Sequence, residues 1–304
     1  MIRTRRAASL LASVAFVTFA LPCAISSVRA QAPVTGHYPP GQSGIRGAAT
    51  PDSGVSITNF NRLFTNLEGV GGGEAGDIHE LRYANISMFT WTTSWKVLGM
   101  TYGALAGIPV ATGDLRSGTS TQFGLGDILL TPVSLYGKRA SFDHQLQFTV
   151  WTPSGHFAPG DARNRGTGFW ALVYSLGGVW YPDGDRQAWS TSAVARFEQN
   201  FEQRGSGIRP GDDVVLDWGV GRMLRLAERR LDLGASGFGA WQLSAQEGGE
   251  AGVEQERYRL LGAGPEASLS LTSALSIRVR AQWEFAALHI VRGNNLWVIL
   301  NYRW

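Results

Sequence analysis

Two stretches, Leu275–Phe285 (LSIRVRAQWEF) and Leu296–Trp304 (LWVILNYRW), carry the pattern on which the reading of this chain turns. In the first, Leu275, Ile277, Val279, Ala281, Trp283 and Phe285 alternate with Ser276, Arg278, Arg280, Gln282 and Glu284. In the second, Leu296, Val298, Leu300, Tyr302 and Trp304 alternate with Trp297, Ile299, Asn301 and Arg303. A period of two puts each set on its own face of a β-strand. A soluble sheet with one wet face alternates in the same way. In a membrane barrel the apolar set faces lipid and the polar set faces the lumen.

The pattern recurs upstream. Leu146, Phe148 and Val150 oppose Gln145, Gln147 and Thr149; Val214, Leu216, Trp218 and Val220 oppose Asp213, Asp217 and Gly219. Leu261 through Leu271 alternate with Gly262, Gly264, Glu266, Ser268 and Ser270, and Trp170, Leu172, Tyr174, Leu176 and Trp180 share a face. The expected strands lie near 54–66, 80–92, 96–110, 121–136, 142–153, 167–181, 187–200, 211–224, 230–244, 256–271, 274–287 and 294–304. Twelve is even, as single-chain bacterial barrels require, and most segments reach the roughly 9–11 residues a tilted strand needs to cross a bilayer. Connections alternate too: long at 67–79, 111–120, 154–166, 201–210 and 245–255, short at 93–95, 137–141, 182–186, 225–229 and 272–273. That is the habit of external loops and periplasmic turns, broken only by a short final connection at 288–293. The expected fold is an all-β, transmembrane, antiparallel up-and-down barrel of about 12 strands in the outer membrane. Its last strand would close on the first, and its resemblance to the closing strands of barrel proteins implies that Leu300, Tyr302 and Trp304 form the signal read by the barrel-assembly machinery.

The beginning of the chain reads as an address. Arg3, Arg5 and Arg6 precede an apolar stretch from Ala7 to Leu21, and Val28-Arg29-Ala30 supplies a cleavage site, so residues 1–30 are expected to be a cleaved signal peptide. Pro22 before Cys23 makes a poor lipidation box. This segment holds four arginines and no acid of the 27 basic and 24 acidic residues. Its removal turns a net charge of +3 into a slightly acidic chain, and the basic balance gives no reason to expect nucleic acid. Cys23 is the single cysteine, so the remaining chain offers neither a disulfide framework nor a thiol nucleophile. No later run of about 18 apolar residues exists for a spanning helix.

Residues 31–53 are rich in Pro, Gly and small polar residues without periodicity, and the barrel domain is expected over 54–304. The segment reads either as a disordered tail or as a plug folded into the lumen, with His37 and Tyr38 its candidate contacts. The lumen-lining candidates are Asp127, Arg196, Glu198, Asp213, Asp217, Glu266, Arg278, Arg280 and Glu284. They could tune a permeation route, or pair with one another and fill the interior. Asp127, flanked by Gly124 and Gly126, is a salt-bridged structural aspartate or an anchor for a ligand or for the N-terminal segment. His37, His79, His144, His156 and His289 show no metal-binding spacing, so neither metal nor cofactor is expected. A lipid-facing hydrolase would need a strand-borne histidine beside a serine. His144 is the one candidate and has no nucleophile motif near it, so no catalytic residue is assigned.

Several motifs resemble the outer-membrane family named for the meta-pathway of phenol degradation. They are His37-Tyr38-Pro39-Pro40-Gly41, the run Gly124 to Pro132 (GLGDILLTP), Thr149 to Gly155 (TVWTPSG) followed by Arg165 to Trp170 (RGTGFW), and Gly211-Asp212 leading into Leu216-Asp217-Trp218-Gly219. The resemblance covers almost all of the chain after residue 30, in order. It implies an outer-membrane channel or transporter for small hydrophobic or aromatic compounds, with membrane lipid as its surroundings. A pore-less structural barrel is the alternative.

Overall fold

The computed structural model describes residues 35–304 apart from 71–76, 113–114, 116–122, 162–163, 227 and 249–256; the side chains of 66–70 and 77–79 also lie outside the description. The signal peptide expected at 1–30 and His79 lie outside these limits.

Thirteen strands follow one another: β1 (Gly54–Val70), β2 (Asp77–Val97), β3 (Met100–Ala111), β4 (Gly124–Leu125), β5 (Leu129–Lys138), β6 (Phe142–Trp151), β7 (Ala171–Trp180), β8 (Trp189–Asn200), β9 (Asp213–Leu226), β10 (Arg229–Gln242), β11 (Arg259–Ser270), β12 (Leu275–Leu288) and β13 (Ile290–Arg303). The pairings are antiparallel and join sequence neighbours, except that β3 pairs with β5 as well as with β4, and β13 pairs with β1 from Ser56↔Arg303 to Val70↔Ile290. With β2 also paired to β3, the sheet has no free edge. The short β4 and β5 both pair with β3 and form one stave, so thirteen strands make a closed barrel of twelve staves.

Two details differ from the sequence pattern. The β2–β3 turn falls at Leu98–Gly99 rather than at 93–95. Both residues have positive φ, 52° and 78°, the geometry of a two-residue hairpin whose twist matches its strands. The stave expected over 121–136 is interrupted at residues 126–128, because Asp127 turns to loop amides instead of continuing the ladder.

The alternation in burial is nearly strict where the pattern was clearest. On β7, Ala171, Val173, Ser175, Gly177 and Val179 are buried, while Tyr174, Leu176 and Trp180 point outward. The outward set continues around the barrel as Phe142, Leu146, Leu216, Val220, Val279, Leu296 and Leu300. Trp91, Trp180, Trp189 and Trp304 stand near the rim where the strands begin and end, and Trp170 and Trp283 stand towards the far rim. An apolar band flanked by aromatic rings matches hydrocarbon and its two interfaces. Most connections at the far rim are longer than those at the terminal rim; the exceptions are the β12–β13 hairpin and the β1–β2 link, 71–76, which is shorter than the terminal-rim link 181–188. Inside, Ile86, Leu129, Trp151, Phe169 and Val173 form one apolar cluster, and Val215, Phe238, Ala240, Tyr258 and Leu260 another. The interior is therefore partly a packed core.

Leu176 is 61% exposed at the middle of β7. A Leu176→Arg substitution should lower folding stability in lipid vesicles by about 2–4 kcal/mol, the cost of a cation at the lipid-facing midplane. Urea unfolding followed by heat-modifiable electrophoretic mobility measures it.

Candidate functional site

Residues 35–53 run through the inside of the barrel and join β1 at the terminal rim. They make no strand pairing, and their amides find carboxylates of the wall instead. Gly36 N–H donates to Asp213 Oδ2 at 3.0 Å, and those of His37 and Tyr38 to Glu198 at 2.6 and 3.1 Å. Gly41 and Ser43 N–H both donate to Asp217 at 2.9 Å, Ile45 N–H to Glu266 at 3.2 Å, and Thr50 N–H to Asp143 at 3.2 Å. Carbonyls are met as well: Arg280 donates to the oxygens of Gly41 and Gln42, and Ser192 Oγ to that of Gly44 at 2.9 Å. Glycine permits the close approach, since a Cβ at Gly44 would overlap Glu266 and Arg280, and one on the facing Gly219 would overlap the Gly44–Ile45 backbone.

Three of these wall carboxylates, Asp217, Glu266 and Asp143, are themselves balanced by arginines. Arg196 donates to Asp217 at 3.0 Å and to Ser43 Oγ at 2.7 Å, with its guanidinium 4.1 Å from the Tyr38 ring centre. The Tyr38 hydroxyl completes the group by donating to Asp217 at 2.6 Å. Glu266 lies between Arg280 at 2.8 Å and Arg278 at 3.3 Å. At the terminal rim Arg186 bonds Asp143 at 2.6 Å, and Arg46 bonds Asp232 at 2.9 Å. Glu284 accepts from Asn295 at 2.7 Å and faces Arg62 at 3.8 Å.

His37 ties the far end. Its Nδ1 lies 3.0 Å from Glu198, and its Nε2 lies 2.6 Å from Thr167 Oγ1 and 3.3 Å from Asp127. The ring stacks on Trp151 at 5.2 Å and meets Phe169 edge-on. Asp127 also accepts the amides of Gly155 and Thr167, so one carboxylate joins the N-terminal segment to the 152–170 connection. Burial alone would lower the His37 pKa, but hydrogen bonds and charges from Asp127 and Glu198 outweigh it and leave the ring above its ordinary value. Burial would raise the Asp127 carboxyl, but the bonds from His37, Thr167 and Gly155 hold it below.

The nine residues singled out as lumen candidates all lie inside, in two groups. Asp127, Asp217, Glu266 and Arg280 hold the N-terminal segment, while Glu198, Asp213, Glu284, Arg196 and Arg278 also border open space. Arg62, Asp143 and Asp232 belong to the same network and were not singled out. Asp143 shares its face with Gln145 and Gln147, a period-two signal that could have marked it. His144 points outward and stacks on Phe142.

Among the described residues, two cavities border the segment. One of about 540 Å³ towards the far rim is lined by Phe64, Val215, Tyr258, Leu260 and Ile290, with Arg62, Glu198, Asp213 and Glu284. The other, of about 290 Å³, lies between the segment and β1–β8, with Phe60, Met88, Tyr136 and Trp151 beside Ser56, Thr58, Thr131, Thr149, Arg196 and Arg278. Tyr38 forms part of both walls.

Removing the Asp217 carboxylate strands two amides, a phenol and the Arg196 guanidinium. Asp217→Ala should weaken docking of the segment by about 3–5 kcal/mol, as for breaking other buried pairs. The check is faster hydrogen exchange over 36–43 with strand protection retained. The raised His37 contributes docking stability that is complete below about pH 6.5, its unfolded value, and is lost as pH rises through its folded value. Exchange over 36–38, corrected for intrinsic rate, should therefore accelerate as pH rises above about 6.5, and His37→Gln should flatten that dependence. The lowered Asp127 acts oppositely, its contribution vanishing as pH falls below the carboxylate range.

The profile of the family described as "Putative MetA-pathway of phenol degradation" matches residues 68–300. Among curated proteins none matches. Among solved structures, an outer membrane channel from Pseudomonas putida F1 superposes with a TM-score of 0.70 at 13% identity, over 88% of this chain and 100% of that one. The β domain of the Bordetella autotransporter BrkA reaches 0.49 at 13% identity, over 83% and 100% of the two chains. The monoaromatic hydrocarbon channel TodX, as a deletion mutant, reaches 0.40 at 9% identity, over 86% and 92%. The first similarity shows the fold, and the other two are too loose to carry an argument. With closed topology, apolar outer band and family profile in agreement, this chain is an outer-membrane-type β-barrel that belongs to the phenol-degradation MetA-pathway family.

Proposed function

We propose that this barrel is an outer-membrane channel for small hydrophobic or aromatic compounds, with residues 35–53 as its plug. The observation that carries the reading is the divided lumen. A segment held by hydrogen bonds leaves two compartments lined by aromatic and aliphatic side chains, with wall charges engaged in ion pairs or in holding the segment. A pore for ions or polar solutes instead relies on rings of charge facing water. The pathway in the family's description supports this reading, as does the likeness to an outer membrane channel of Pseudomonas. In this reading Asp127, Asp217, Glu266 and Arg280 keep the plug seated. Glu198, Asp213, Glu284, Arg196 and Arg278 border the route, and the solute slips past Tyr38.

The same proposal places the chain in a Gram-negative outer membrane, after export and cleavage near Ala30. Leu300, Tyr302 and Trp304, which face outward, would be the strand read by the barrel-assembly machinery.

Uptake of a monoaromatic hydrocarbon into vesicles, and conductance in planar bilayers, should be compared for the full chain and for a chain lacking residues 31–53. Hydrocarbon uptake with low conductance is expected for the full chain, and a severalfold larger conductance without the segment. No flux of any solute in either form would identify a pore-less structural barrel.

A further inference from the structure

The outward face of β1 and β2 breaks the apolar rule. On β1, Ser56, Thr58 and Phe60 line a lumen cavity, and Arg62 bonds Asn295 inside. Asn59 and Asn61 therefore point out, towards lipid. On β2, Ile86 and Met88 pack against the inner cluster, so Tyr83, Asn85 and Ser87 also point out. The register places Asn59 beside Leu300 and Ser87, and Asn61 beside Val298 and Asn85. These side chains form one bonded group. Asn59 Nδ2 donates to Ser87 Oγ at 2.9 Å and to Asn85 Oδ1 at 3.2 Å, and Asn61 Nδ2 donates to Asn59 Oδ1 at 2.8 Å. Asn85 Nδ2 donates to Asn61 Oδ1 at 2.9 Å, which also accepts the Tyr83 hydroxyl at 2.6 Å.

Its height decides what can cover it. Trp304 marks the terminal interface, and the level of Leu300 and Val298 lies four to six residues above it. At about 3.4 Å per residue and a tilt near 40°, that is roughly 10–16 Å into an apolar band about 25 Å tall. Lipid headgroups do not reach there, and acyl chains offer the amides nothing. Elsewhere the same band presents Leu146, Leu176, Leu216 and Val279.

We propose that this amide patch is the contact surface for a second copy of the chain. Barrels in one membrane share an orientation, so two copies meet about a two-fold axis along the membrane normal, with each residue at the height of its own copy. A charged patch would repel itself in that arrangement. Uncharged amides each carry donor and acceptor and match their own image, and Ser87 and Tyr83 add hydroxyls that can do either. Contact replaces lipid around polar groups with polar groups, as amide and hydroxyl side chains do between membrane helices.

The test is cross-linking in native membranes. Asn61→Cys and Ser87→Cys should each give a disulfide adduct of twice the chain mass on mild oxidation. Leu176→Cys, on the opposite side of the barrel, sets the background, including any contribution from Cys23. Introducing Asn59→Leu and Asn85→Leu into the Ser87→Cys chain should cut the adduct at least tenfold, with heat-modifiable mobility confirming the fold. Adduct no greater than the Leu176→Cys background, an adduct of another mass, or undiminished yield without the amides would each overturn the proposal.

Discussion

A length of backbone lying inside a barrel without a strand partner has amides that must be bonded somewhere. Here the somewhere is a set of wall carboxylates: Asp213, Glu198, Asp217, Glu266 and Asp143 take the N–H groups of Gly36, His37, Tyr38, Gly41, Ser43, Ile45 and Thr50. Bonds from neutral amides to carboxylates are among the stronger ones available, and an unmet buried amide costs about 1–3 kcal/mol. Buried carboxylates are costly without counter-charge: Arg196, Arg280, Arg278 and Arg186 stand behind Asp217, Glu266 and Asp143, His37 faces Glu198, and Asp213 is held by the neutral donors Gly36 N–H and Asn200 Nδ2. The alternation of acid and base on the inner strand faces thus has one physical origin. It makes a surface on which an unpaired backbone can lie.

The outside of the molecule answers the same requirement differently. In hydrocarbon no wall of carboxylates can serve, so the sheet satisfies its own backbone and closes, β13 on β1 and β2 on β3. Closure then fixes the width of the lumen, and the segment takes one side of it. Cavities are left beside it because a single irregular chain, turned at 40–41 and 45–48, does not fill the bore of a twelve-stave barrel.

Strict alternation made the barrel readable from Leu275 to Trp304, and the same period put all nine singled-out charges on the inner face. What alternation cannot convey is partnership. Nothing in the spacing of Asp217 or Glu266 says that its bonds go to residues 41–45, far away in the chain. Asp143 and Arg62 escaped notice because each is a lone charge among uncharged neighbours. The β2–β3 corner at Leu98–Gly99 is not legible in the sequence because the apolar side chains of Trp95, Val97 and Leu98 keep strand-like composition across it, and only the two positive φ values define it. The interruption at Asp127 was hidden for a related reason: Gly126, Ile128 and Leu130 keep the composition of a strand while the aspartate pulls the backbone out of it.

The two halves of the lumen wall are built unlike each other, and that asymmetry bears on the proposed route. Where β9 faces the segment it carries Gly219 and Gly221, whose missing side chains give Ile45 its seat. On the other side, β1 through β6 present Ser56, Thr58, Thr90, Thr131 and Thr149 between Phe60, Met88 and Trp151. Hydroxyls of this kind can bond one another, as Thr131 and Thr149 do at 2.6 Å, or turn to a passing group, without holding it by charge. An apolar solute meets hydroxyls and rings along such a wall, and Arg196 on its border is already engaged by Asp217 and Arg278 by Glu266. The glycines seat the segment on one side, and in the proposed channel the hydroxyl and aromatic wall would be the passage. A neutral, largely apolar molecule is the solute that this division of the lumen suits.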